Sequence, residues 1–146
     1  VKPRDWRSYA YPFIYGQLDE ALFPFNEWRE CLRDANSRKA ISHWLTDSID
    51  GDDAMLLEQL HTKVLPNRGV WAGSEEILVT LGTQHSLYLV SQLLAGAGIT
   101  VGIEDPGYAD ARNIFESAGA RVVPIPLDEQ GLVLDERIEQ CDLVYV

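Results

Sequence analysis

An α/β fold with a mostly parallel sheet is predicted by three features of this sequence. Short apolar runs rich in β-branched residues recur at 77–81 (ILVTL), 100–103 (TVGI), 121–124 (RVVP) and 142–146 (DLVYV). Stretches with apolar residues at helical spacing alternate with them, at 84–94, 110–117 and 134–140. Glycine- or proline-containing turns separate the two kinds of segment. Strand and helix in alternation give a parallel sheet covered by helices on both faces, and ligands of such sheets sit at the carboxyl ends of strands.

Residues 1–16 carry Trp6, Tyr9, Tyr11, Phe13 and Tyr15 with two prolines and hold no regular period. They are expected to form an extended arm lying on another surface, because disordered tails are poor in aromatics. Asn26 is a candidate N-cap for a helix over 27–36, with Glu27 in the first turn and Trp28, Cys31 and Leu32 on one stripe. Residues 39–45 continue it briefly. The segment 46–53 (TDSIDGDD) holds four aspartates around Gly51. Its spacing does not fit a calcium loop, so it reads as a solvated loop with Asp53 capping the next helix. That helix, 54–64, carries the stripe Leu56, Leu57, Leu60 and Val64 and ends at Pro66-Asn67-Arg68-Gly69. His61 near its end is expected to be structural. Farther on, Ile114 and Phe115 should face inward, and Gly119 should stop the helix that bears them.

The formal net charge of −11 opposes direct binding to a polyanion, since such affinity comes from lysine and arginine neutralising phosphates. No apolar run approaches the ~20 residues of a membrane span, and the first residues lack signal-peptide architecture. Cys31 and Cys141 match no metal spacing. A reducing cytoplasm is the expected compartment, with each thiol a small buried apolar group rather than a reactive one.

The site is expected where 77–81 turns through Gly82 into a helix. Such a turn aims free backbone N–H groups and the positive end of the helix dipole at one point, which suits a phosphate. Thr83 adds a hydroxyl and Gln84 an amide. The same connection also occurs in α/β proteins that bind nothing there. A second loop, Pro106-Gly107-Tyr108, follows the carboxyl end of the next strand, and the coincidence of the two is more telling than either.

Three blocks in this order, VTLGTQHSLYL (79–89), EDPGYADARNIF (104–115) and GARVVPIPLDEQGL (119–132), resemble fold-type I pyridoxal-phosphate enzymes, the aspartate aminotransferase superfamily. Within it the chain is most similar to the MocR/GabR-type regulators, in which an aminotransferase-like domain follows a winged helix-turn-helix. Their opening pattern G-x-x-D-x-x-L-F-P-x-x-x-W stands here as GQLDEALFPFNEW (16–28). Leu18 replaces a frequent proline, and Ser48 stands where the family often has a tyrosine that reaches the partner subunit's phosphate.

The resemblance implies a partial fold-type I domain: an arm at 1–16, a helical segment at 17–75, and the start of the large cofactor-binding α/β domain at 76–146. It implies pyridoxal 5'-phosphate as cofactor. The backbone of Thr83 and Gln84 and the Thr83 hydroxyl would hold the phosphate, Gly82 would allow close approach, and Tyr108 would stack on the pyridine ring. Gly16 would lie in the substrate-side loop. It further implies a homodimer, a small amino compound as the signal, and DNA contacted only through a separate upstream module. The lysine that bonds the cofactor and the partners of its ring nitrogen and ring oxygen are expected beyond Val146, so this piece alone is expected to be inert. A free-standing aminotransferase acting on α-amino acids is the alternative. A phosphate-binding α/β module ranks last, because G-x-G-x-x-G and the P-loop pattern are both absent.

Overall fold

The computed structural model describes residues 3–14, 16, 18–47 and 49–146. Tyr15 and Ser48 therefore lie outside the described residues. The chain falls into two compact units, Val1–Gly51 and Asp52–Val146.

In the first unit residues 3–14 form a 3-10 turn at Trp6–Ser8 flanked by turns and bends, and the Phe13 N–H donates to the Tyr11 carbonyl at 3.0 Å. A second 3-10 turn, Glu20–Leu22, is opened by the Asp19 carboxylate, which accepts from the Ala21 N–H at 2.9 Å. Helix α1 spans Phe25–Ala35, two residues earlier than the sequence suggests, and Pro24 rather than Asn26 holds its N-cap position without a side-chain bond. Proline needs no donor partner and its fixed φ suits a helix entrance. Phe23 meets Phe25 and Trp28 edge-on, with ring centroids at 4.9 and 5.9 Å. Helix α2 spans Arg38–Trp44, and Ser37 caps it by accepting from the Ala40 N–H. The Trp44 indole donates to the Ala35 carbonyl at 3.1 Å and so ties α2 back to α1. Cys31, expected to be buried, is exposed, because the stripe it shares with Trp28 and Leu32 is itself exposed.

In the second unit Asp53 caps α3 (Ala54–Gln59), accepting from the Leu56 N–H at 2.8 Å. The helix then widens into a π-turn, Leu60–Val64, before a 3-10 turn, Pro66–Arg68, and Gly69 in the left-handed region. Leu57 and Leu60 are half-buried, whereas Leu56 and Val64 are exposed. His61 Nδ1 lies 2.6 Å from the Ala72 carbonyl. That carbonyl only accepts, so the ring nitrogen donates and His61 ties the helix to the segment leading to the sheet.

The expected strand at 77–81 is not a strand. The segment is irregular and pairs with none of the described strands. Its Val79 N–H donates instead to Asp52 Oδ2 at 2.7 Å, and Leu78 and Leu81 are 70% and 93% exposed. Apolar, β-branched composition favours extended backbone, but a strand exists only through a ladder with a neighbour. Helix α4, Thr83–Leu94, follows.

The sheet has the order β3-β2-β1-β4. Strand β1 (Thr100–Asp105) pairs in parallel with β2 (Arg121–Asp128) on one side and with β4 (Leu143–Tyr145) on the other. Strand β3 (Gly131–Leu132) turns back antiparallel onto the end of β2. Helix α5 (Ala109–Ser117) joins β1 to β2, and α6 (Glu136–Glu139), capped by Asp135, precedes β4. Helix α5 ends as Gly119 predicts. The Gly119 N–H donates to the Glu116 carbonyl and the Ala120 N–H to Phe115, with Gly119 at φ +91°. This two-bond closure satisfies the last carbonyls and needs a residue without a Cβ.

Alternation along β1 sorts the core into two layers. Val101 and Ile103 face Leu87 of α4 and Ala111 and Phe115 of α5, and all five are buried. Complete burial of Phe115 alone contributes about 1.5–3 kcal/mol. Gly102 faces the opposite side, beneath Cys141, Ile125 and Val144, where an added Cβ would stand 3.0 Å from the Cys141 sulfur. Cys141 is half-buried there, and burial is the first cause that pushes its thiol pKa up.

Candidate functional site

The site is built from the start of α4 and the loop leaving β1. Gly82 takes φ +102° and ψ 175°, a region open essentially to glycine alone. This conformation turns the irregular 77–81 segment directly into α4. The N-cap position of α4 is held by Gly82, which has no side chain to cap it, so its first N–H groups point outward with the positive end of the helix dipole. The turn is held from behind. Thr80 Oγ1 and Ser86 Oγ share a hydrogen bond at 2.6 Å, and the Leu81 N–H donates to His85 Nδ1 at 3.2 Å. An ideal Cβ on Gly82 would meet nothing within 4 Å, and Thr83 and Gln84 are exposed. The turn is therefore open toward solvent and offers the N–H groups at the start of α4, which suit a phosphate.

The second tip follows β1. This strand has parallel neighbours reached by connections that depart in opposite directions, so its carboxyl end is a topological switch point, where ligands of open α/β sheets bind. Gly107 is required at the bend: an added Cβ would stand 2.2 Å from the Glu104 carbonyl oxygen. Tyr108 comes next as the N-cap of α5, its carbonyl accepting from the Ala111 N–H at 3.1 Å. Its side chain is 40% exposed. A cavity of about 320 Å³ lies at this bend, lined by Ile103, Glu104, Pro106, Tyr108 and Arg112 among others. Arg112 Nη2 stands 3.7 Å from Asp105 Oδ1 at its rim.

The two tips converge. Gln84 Nε2 donates to Tyr108 Oη at 3.1 Å and to Asp110 Oδ2 at 2.6 Å. Of the residues singled out in the sequence, Gly82, Thr83, Gln84 and Tyr108 thus stand around one rim of the sheet. The Gln84 side chain bridges to the second loop, and what it leaves at the open turn is its backbone N–H. Gly16 belongs to the first unit, where it is exposed at φ +71°. Asp110 and Arg112 join the site without having been singled out. The available signal was their place in YADAR, directly after the tyrosine and in the first turn of α5.

The model of the family of class I and II aminotransferases matches residues 16–140. The chain belongs to this family. The curated relatives that it resembles include the HTH-type transcriptional regulator TauR of Rhodobacter capsulatus, 41% identical over 86% of this chain and 26% of that protein. The probable rhizopine catabolism regulatory protein MocR of Rhizobium meliloti is 32% identical over 92% of this chain and 27% of its own length. This chain therefore spans little more than a quarter of these regulators. Among solved structures, the α-aminoadipate aminotransferase LysN of Thermus thermophilus, complexed with N-(5'-phosphopyridoxyl)-L-leucine, superposes with a TM-score of 0.66. It is 30% identical, over 87% of this chain and 31% of that one. An archaeal alanine:glyoxylate aminotransferase shares the fold at a TM-score of 0.71, with 23% identity over 87% of this chain and 33% of that one. The α/β architecture is thus that of part of a fold-type I aminotransferase domain.

Proposed function

We propose that this chain is part of the effector domain of a MocR-type transcriptional regulator and contributes half of a pyridoxal 5'-phosphate site. The single observation that carries the reading is the bridge from Gln84 to Tyr108. It joins an uncapped helix start, suited to an anion, to a partly exposed aromatic ring, suited to a flat heterocycle. The likeness to TauR, a transcriptional regulator, and to MocR, a probable regulatory protein, supports the regulatory half of the reading, and the phosphopyridoxyl compound in LysN supports the cofactor.

Each residue then has a task. The N–H groups of Thr83 and Gln84 and the Thr83 hydroxyl hold the phosphate. Gly82 lets the backbone approach it without a side chain in the way. Tyr108 lies against one face of the pyridine ring and fixes its plane. When bound, pyridoxal phosphate supplies a carbonyl carbon that primary amines attack and an electron-withdrawing ring. Residues 76–146 open the large cofactor-binding domain, 17–75 form a helical segment before it, and 1–16 an arm at a homodimer interface, with Gly16 near the substrate. DNA is read by a separate module, consistent with the net charge of −11 here. The working compartment is the cytoplasm, and no helix among the described residues is long and apolar enough to cross a membrane.

The test uses the full-length protein. Pyridoxal phosphate is titrated in and its absorbance followed, then a panel of amines and α-amino acids is added. Saturable binding with spectral change on adding one amine, without release of a 2-oxo acid, is the expected result. Catalytic turnover of an α-amino acid would move the assignment to a free-standing aminotransferase. Absence of any cofactor binding would remove both.

A further inference from the structure

The Gln84 amide has both of its protons committed, one to Asp110 Oδ2 at 2.6 Å and one to Tyr108 Oη at 3.1 Å. An ionised carboxylate can only accept, whereas an amide has a donating and an accepting end. Asp110 therefore permits one orientation of that amide, with the NH2 toward itself. Tyr108 Oη faces the same nitrogen and has to accept from it. A phenol that accepts at this position keeps its own hydrogen for another acceptor. Gln84 sits in the first turn of α4, so its side chain links the Tyr108 hydroxyl to the helix whose start is open.

We propose that Asp110 is a positioning residue that sets the hydrogen-bond polarity of Tyr108 through Gln84, so that the Tyr108 hydroxyl donates to an anionic ligand held at the start of α4. The ligand half of this statement rests on the cofactor reading above. Asp110 does not touch the ligand. It acts by forbidding the flipped amide, which would offer its oxygen to Tyr108 and turn the hydroxyl inward as a donor.

The experiment is a mutant cycle in the full-length protein, with pyridoxal phosphate as the probe. Tyr108→Phe keeps the ring and removes the hydroxyl. With Asp110 present it should weaken binding about tenfold, the scale of one hydrogen bond to a charged group. In an Asp110→Ala background, and equally with Asp110→Asn, whose amide can present either end, the same change should cost less than about twofold, because the hydroxyl is then satisfied by Gln84. An equal loss in all three backgrounds would overturn the proposal. A second readout needs no cofactor. In the apo protein labelled with 15N-glutamine, the side-chain amide resonances of Gln84, assigned by Gln84→Glu, should move to free-amide positions on Asp110→Ala. Resonances that stay put would show that Asp110 does not hold the amide. Should pyridoxal phosphate fail to bind while those resonances respond, the cofactor reading falls and the control of Gln84 by Asp110 stands.

Discussion

Replacing Gly107 by alanine tests whether the loop after β1 is shaped for a purpose. The added Cβ would stand 2.2 Å from the Glu104 carbonyl oxygen, 3.0 Å from the Glu104 carbonyl carbon and 3.2 Å from its Cβ. Carbon contacts are comfortable only near ~3.5–4.0 Å, so the overlap with the oxygen exceeds ~1 Å. The obstacle is backbone in a strand whose Glu104 is held in register with Ile125, so the loop has to give rather than the sheet. Overpacking of this kind costs about 1–3 kcal/mol. The displaced residue next in line is Tyr108, whose 3.1 Å contact with Gln84 has little slack, and a lost hydrogen bond costs ~1 kcal/mol, or about fivefold in affinity. Urea denaturation and pyridoxal phosphate titration of the full-length protein measure both effects. Gly96→Ala is the control, because a Cβ there meets nothing within 4 Å. If Gly107→Ala matches the control in stability to ~0.5 kcal/mol and binds the cofactor as tightly, the loop is not constrained as described.

Gly82→Ala meets no steric obstacle, yet φ +102° with ψ 175° costs a side-chain-bearing residue about 1–3 kcal/mol. A Kd for pyridoxal phosphate equal to that of the unaltered protein would remove the phosphate turn. Tyr108→Ala should weaken the same binding by ~1 kcal/mol or more through lost ring contact, and unaltered affinity would leave Tyr108 as a helix cap alone. Iodoacetamide should modify the exposed Cys31 well before Cys141, whose reactive thiolate is suppressed by burial first and by the neighbouring Asp142 next. Peptide mapping of a brief alkylation reads the order, and faster labelling of Cys141 would contradict its place over Gly102.

Local rules carried much of the fold. Helix α4 and helix α5 with its Gly119 closure are dictated within a few residues, because caps, glycine conformations and apolar spacing act over one or two turns. The cores of β1, β2 and β4 were likewise readable as apolar, β-branched runs. The site tips were readable for the same reason, since each is a glycine-bearing turn at a segment boundary: Gly82 before α4 and Gly107 after β1.

What the local rules could not supply was partnership. Nothing in ILVTL tells whether a neighbouring strand is present, and the segment from 77 to 81 is irregular while Leu143–Tyr145 of DLVYV lies in the sheet. The stripe of Trp28, Cys31 and Leu32 has the spacing of a buried face and is exposed. The meeting of Gln84 with Tyr108 and Asp110, 24 and 26 residues later, is likewise invisible along the chain. Residue type fixes what a group can donate, accept or bury. Only the sheet order, which sets β1 between β2 and β4, decides which of those groups come within hydrogen-bonding distance.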